Sequence, residues 1–227
     1  YYWNNRGGAT DVIKYNQELD INFGTYARWE ANEMDQMYCG KLYNLLAFDT
    51  DYANQPIGQN AQETTSYGAF QNDYNGNYNK IIDYCVKSDK QYVGLFGEIY
   101  KDTQYVVKGK QITNVVLTVS DENKGKTGNY LTADEANQNN AGLIISEYQA
   151  ESSSSNRAGV GSLVGSDFTV GSGFASDDTN WKQKVNDQIY TVYNCASEGY
   201  QVQYHVSTPK SGYKQPLGIA MGGLIGY

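Results

Sequence analysis

Gln188-Ile-Tyr-Thr-Val-Tyr-Asn-Cys-Ala-Ser-Glu-Gly-Tyr-Gln-Val-Gln-Tyr-His-Val206 carries the clearest structural signal in the chain. Tyr200, Val202, Tyr204 and Val206 alternate with Gln201, Gln203 and His205, the period of two of a half-buried strand. In the segment before it, Ile189, Thr191, Tyr193 and Cys195 fall on one face, with Tyr190 and Val192 on the other. Ala196-Ser-Glu-Gly199 separates the two, and its glycine suits a left-handed turn geometry. The expected element is a β-hairpin.

Upstream, β signals dominate from Gln91. Strands are expected near residues 92–100, 104–107 and 111–119, joined by turns at Asp102-Thr103 and Lys108-Gly-Lys110 into an antiparallel meander. Leu143 to Tyr148, Val160 to Val164 and Phe168 to Val170 read as further strands, and the apolar, glycine-rich tail from Leu217 to Tyr227 as a final strand or a segment packed on a neighbouring subunit. Ser152 to Ser155 lie in a solvated run, residues 151–158, that marks a flexible loop or subdomain boundary within one domain spanning 1–227. No repeat of 20 to 50 residues is evident.

The N-terminal part reads differently. Tyr26, Trp29, Glu33, Met37, Leu42 and Leu45 are among residues spaced mostly three and four apart, which predicts a long amphipathic helix over 26–47. Asn77 can cap a short helix in which Tyr78, Ile81, Ile82 and Cys85 share a face, and Thr132-Ala-Asp-Glu135 is a capping box for another. The expected fold class is therefore α+β, an N-terminal amphipathic helix packed on a mostly antiparallel β-sheet with long polar loops.

Composition narrows the function classes. Of 227 residues 22 are tyrosine and only three are proline, and aromatics reach 14% within a hydrophobic share of 40%. Tyrosine thus supplies packing area that leucine and isoleucine usually give, while keeping a hydroxyl for rims and contact surfaces. A formal charge of −8, from 17 basic against 25 acidic side chains, argues against nucleic-acid binding. Cys39, Cys85 and Cys195 are odd in number and far apart, and His205 is the single histidine, so ligands for a zinc or haem site are scarce. Their disulfide state is open. There is no Asn-x-Ser/Thr acceptor, which points to a prokaryotic or viral source. Tyr1-Tyr-Trp3 suits a membrane interface, so an anchor or export helix preceding Tyr1 is one expectation.

Each candidate site competes with a plain structural role. Asp49-Thr-Asp51-Tyr-Ala-Asn54 and Asp73-Tyr-Asn75-Gly-Asn77-Tyr-Asn79 space oxygen side chains as a calcium loop does, but lack the glycine and glutamate of an EF-hand. Capped, hydrogen-bonding loops explain both. Gly161-Ser-Leu-Val-Gly165 and Gly171-Ser-Gly173 are glycine-rich turns and not the Gly-x-Ser-x-Gly elbow of a hydrolase. Glu30, Glu33, Asp35, Glu98, Glu135 and Glu147 could pair as in a glycosidase, with nothing to single out two of them. Trp3, Trp29, Trp181 and the tyrosines could stack on sugar rings.

Two resemblances bear on function. Val170-Gly-Ser-Gly-Phe174, Trp181 and Thr208-Pro-Lys-Ser-Gly212 resemble the C-terminal oligonucleotide-binding domain of ATP-dependent polynucleotide ligases, but the Lys-x-Asp-Gly nucleophile motif of that family is absent. A helix followed by an antiparallel sheet is similar in general arrangement to pilin-like ectodomains, which implies a structural subunit of an extracellular filament or viral particle. Such a subunit self-associates through repeated contacts and needs no catalytic residue, cofactor or metal. A carbohydrate-binding or adhesive surface domain is the alternative, followed by a glycoside hydrolase. Each places the chain outside the cell, at its surface, or in a virion.

Overall fold

The computed structural model describes residues 14–23, 56–57, 70, 72–102, 111–125, 141–151, 157–170, 191–206 and 209–226. Within them every regular element is a strand, and nearly all pairing is parallel and in register. The chain winds as a parallel β-solenoid. Its first coil contributes β1 (Lys14–Asn16) and β2 (Ile21–Asn22). The second carries β3 (Asp73–Asn75), β4 (Lys80–Ile82), β5 (Val86–Ser88), β6 (Tyr92–Val93) and β7 (Phe96–Asp102). The third carries β8 (Ile112–Thr113), β9 (Val116–Thr118), β10 (Leu143–Ser146), β11 (Ala150–Glu151), β12 (Arg157–Gly161) and β13 (Val164–Val170). The fourth carries β14 (Val192–Tyr193), β15 (Ala196–Glu198), β16 (Gln201–Tyr204), β17 (Tyr213–Lys214) and β18 (Gly218–Gly222).

Corresponding strands stack in chain order, β1-β3-β8-β14, β2-β4-β9-β15, β5-β10-β16, β6-β12-β18 and β7-β13. Single parallel bridges extend the last stack, with Ile57 on Phe96, Phe70 on Ile99 and Ile225 on Val164. Among the described residues only β11 and β17 pair antiparallel, as a side arm. Parallel neighbours need a long crossover, and here each crossover is a whole turn of the coil.

In-register stacking puts like positions above one another, so inward side chains form columns. Tyr74 sits at the register of Tyr15 and Ile112, and Val192 continues that column; Ile81 meets Leu117, and Ile144 meets Val86 and Val202. Phe96, Ile99, Ile112, Leu117, Ile144, Val160 and Val164 are fully buried in one continuous core. Each fully buried side chain of this kind contributes roughly 1.5–3 kcal/mol. Phe70 and Tyr74 pack their rings on Phe96 with centroids 5.0 and 5.5 Å away.

Corners between strands are made by glycine and asparagine. Gly94, Gly161 and Gly222 stack at the corner that leads into β7, β13 and the Ile225 bridge, with no room for a Cβ: one on Gly161 would stand 2.3 Å from the Val164 carbonyl. At the corners after β3, β8 and β14, Asn77, Tyr78, Asn114 and Asn194 adopt left-handed φ of 51 to 62°. Buried Asp83, also left-handed, accepts hydrogen bonds from the Ser120 amide (2.8 Å), the Ser120 hydroxyl (2.8 Å) and Asn123 Nδ2 (2.9 Å), tying the second coil to the third.

This overturns the expected α+β class. No helix occurs among the described residues; the predicted helices over 26–47 and around Thr132 lie outside them, and the one expected from Asn77 is instead the β4 and β5 strands. The expected hairpin over 188–206 is also replaced. Gly199 does turn the chain, with φ of 82°, but β15 pairs with β9 and β16 with β10, both parallel. The antiparallel meander fails similarly, because β7 pairs with β13 and β9 with β4 and β15, all parallel, while its expected middle strand at 104–107 lies outside the described residues. A coil repeat exists that the sequence did not reveal, since insertions of unequal length between strands break its period. Strands at 143–146, within 157–170 and at 218–222 occur where they were expected. A stack of parallel strands also differs from a Greek-key oligonucleotide-binding barrel.

Candidate functional surface

Two surfaces stand out, and both follow from the stacking. The first is the corner that follows β1, β3, β8 and β14. There an asparagine ladder climbs the solenoid: Asn75 Nδ2 donates to Asn16 Oδ1 (3.3 Å), Asn114 Nδ2 to Asn75 Oδ1 (2.9 Å) and Asn194 Nδ2 to Asn114 Oδ1 (2.9 Å). Amide side chains suit this because each offers both donor and acceptor, so identical residues in register satisfy one another. Asn77 Nδ2 and Asn79 Nδ2 donate to the Gln17 carbonyl at 3.1 and 2.7 Å, closing the lower part of the corner. Gln17 is itself buried and accepts from the Tyr74 hydroxyl at 2.9 Å. Burial pushes that hydroxyl's pKa up to about 12, so it remains a donor.

Tyr78 crosses this ladder. Its amide donates to the Asn114 carbonyl at 3.0 Å, and its hydroxyl accepts from Asn194 Nδ2 at 2.5 Å, two coils along the stack. The ring is therefore pinned at both ends while the residue remains 62% exposed. Its φ of 62° is unfavourable for a tyrosine by about 1–2 kcal/mol. Tyr193, 42% exposed, stands at the register of Thr113 just before Asn194.

The second surface is the outer side of the fourth coil. Among the described residues β14, β15, β16 and β18 each pair in a stack on one side only. Met221 shares its register with buried Val160 yet is 57% exposed. Val192, Val202, Leu224 and Ile225 pack on the core but are only partly buried. Among the described residues, no further strand stacks on these positions.

The other residues singled out from sequence are scattered. Asp73 to Asn79 form β3 and the asparagine corner, where Asn75 and Asn77 are engaged with each other and the ladder. No group of three or more potential metal ligands is found among the described residues. Gly161 to Gly165 form the tight corner between β12 and β13, with the Ser162 hydroxyl bonded to the Gly223 carbonyl and Ser197. Glu98 lies in β7, where burial raises its pKa above the usual carboxylate range, whereas Glu147 follows β10 in another stack. His205 donates its backbone N–H to the Ser146 carbonyl. The Cys85 thiol is buried and that of Cys195 half-buried. Glu30, Glu33, Asp35, Glu135, Cys39, Trp3, Trp29, Trp181, residues 49–54 and residues 171–173 lie outside the described residues. Sequence reasoning missed Tyr78, Asn114 and Asn194 as one surface; the only signal was the placement of Asn after a short β-rich run.

The fold and its exposed columns define a parallel β-solenoid whose notable features are surfaces. No protein-family model, no curated protein and no solved structure matches the chain.

Proposed function

We propose that the chain is a structural subunit of an extracellular or virion assembly that extends by end-to-end contact with further copies of itself. The observation that carries this is Met221, 57% exposed at a register where Val160 is fully buried. An unpaired parallel edge over half-covered apolar columns is a template for another coil. A second copy is the fitting occupant, because Tyr15 and Ile21 of the first coil head the columns that Val192 and Ser197 end, and they too are only partly buried. Coil-on-coil docking would continue both columns, and a head-to-tail contact of this kind gives open filaments. The pilin-like version of this function needed a helix packed on an antiparallel sheet and is set aside.

Light scattering and electron microscopy across a concentration series test the proposal. Assembly is expected to grow with protein concentration and with added salt, which screens the −8 charge carried by each copy. Met221→Lys should reduce assembly while leaving the thermal midpoint unchanged. A wild-type chain that stays monomeric throughout, or a Met221→Lys variant that assembles equally well, refutes it.

A further inference from the structure

We infer that the Tyr78 corner is a binding subsite for a neutral, pyranose-based polysaccharide, on a different strand stack from Met221. The asparagine ladder by itself accounts for Asn16, Asn75, Asn114 and Asn194, since amides in register satisfy each other along a stack. It does not call for a tyrosine at position 78. Glycine or asparagine would take the left-handed conformation there without strain, and either would leave the Asn194 amide bonded to Asn114.

What tyrosine adds is a ring fixed before any ligand arrives. Its backbone is held by the Asn114 carbonyl and its hydroxyl by Asn194, and the residue is largely exposed. A fixed aromatic face loses little conformational freedom on binding, which is the condition for useful affinity from a small contact. The C–H face of a pyranose stacks on such a ring, and its hydroxyls both donate and accept. The ladder engages Asn75 fully and both amide protons of Asn194, but it uses one donor and one acceptor site of Asn114 and leaves the Asn194 carbonyl oxygen as an acceptor beside the ring. Tyr193 offers a second exposed aromatic on the same corner. The aromatic and amide side chains that form this corner carry no charge, and the chain as a whole is at −8, so a neutral glycan is favoured over an anionic one. Because the ladder runs along the solenoid axis, the ligand lies along the stack as an extended chain.

Affinity electrophoresis of the full chain in gels containing xylan, mixed-linkage glucan or dextran, with heparin as the anionic probe, tests this. Retardation by at least one neutral polymer is expected, with none by heparin. Tyr78→Gly relieves the backbone strain, so its thermal midpoint should equal or exceed that of wild type while its affinity falls about tenfold or more. Tyr213→Ala, which alters an exposed tyrosine on the side arm, should bind as wild type does. Failure of every neutral polymer to retard the wild-type chain overturns the inference, as does retained binding in Tyr78→Gly or a preference for heparin. Met221→Lys should bind normally, so loss of assembly and loss of glycan binding are read separately.

Discussion

Replacing Gly165 with alanine tests the stacked-coil architecture at a corner where one coil meets the backbone of the next. A Cβ built there would lie 2.4 Å from the Val93 nitrogen, 2.6 Å from the Gly97 carbonyl oxygen and 2.8 Å from the Tyr92 carbonyl carbon. All three are backbone atoms of the coil below, so no side chain can swing aside. Restoring an ordinary contact of about 3.5 Å requires the β6–β7 corner to move by about 1 Å. That motion would pull Val93 and Phe96 from a core in which both are fully buried. Overpacking typically costs 1–3 kcal/mol, and with only backbone to yield we expect about 3 kcal/mol or more. Urea unfolding followed by circular dichroism reads this directly: with a slope of about 2 kcal/mol per molar, the midpoint should fall by about 1.5 M. Gly218→Ala is the control, since its Cβ would meet only Arg157 Cγ at 3.9 Å; it should change stability by no more than about 0.5–1 kcal/mol, in the stabilising direction if at all. Equal midpoints for the two variants would refute stacked coils in contact at this corner.

Two other outcomes follow from burial. Burial raises the pKa of Glu98, so its ionisation is disfavoured in the folded state. Between the ordinary glutamate value and that raised one the folded chain binds more protons than the unfolded chain, and stability falls as pH rises through the window. Glu98→Gln should therefore match wild type near pH ~4 and exceed it near pH ~8, as measured by thermal unfolding; a difference that does not change with pH would exclude this origin. Burial, with the charge of Asp83 nearby, also pushes the Cys85 thiol well above its ordinary range. Iodoacetamide labelling read by peptide mass spectrometry should leave Cys85 unmodified until the chain unfolds, and should modify half-buried Cys195 slowly. Native labelling of Cys85 at the rate of an exposed thiol would contradict its position in the core.

How far the fold was legible can be followed along 188–206. The alternation of Val202 and Tyr204 with Gln201 and Gln203 reports a strand, because side chains change faces at every residue whatever the strand pairs with. It says nothing of the partner. Val202 lies against Ile144, more than fifty positions away, and only the closing of a coil brings the two together. Gly199 signalled a turn and is one, but a solenoid corner and a hairpin loop both ask for a left-handed residue. Asn77 reads as a helix cap because the spacing of Tyr78, Ile81 and Cys85 suits a helix face. In the fold Ile81 and Cys85 are buried, while Tyr78 stands exposed on a left-handed corner.

By itself the sequence determined that the chain is β-rich from residue 91 onward, that glycine and asparagine punctuate it, and that it carries excess negative charge, since these depend on local propensity and composition. The tertiary structure alone decided that strands stack in parallel, that Asn16, Asn75, Asn114 and Asn194 form one ladder, and that Tyr78 spans it. The reason is physical: parallel register is set between residues a full coil apart, across insertions of unequal length, and no local pattern encodes that distance.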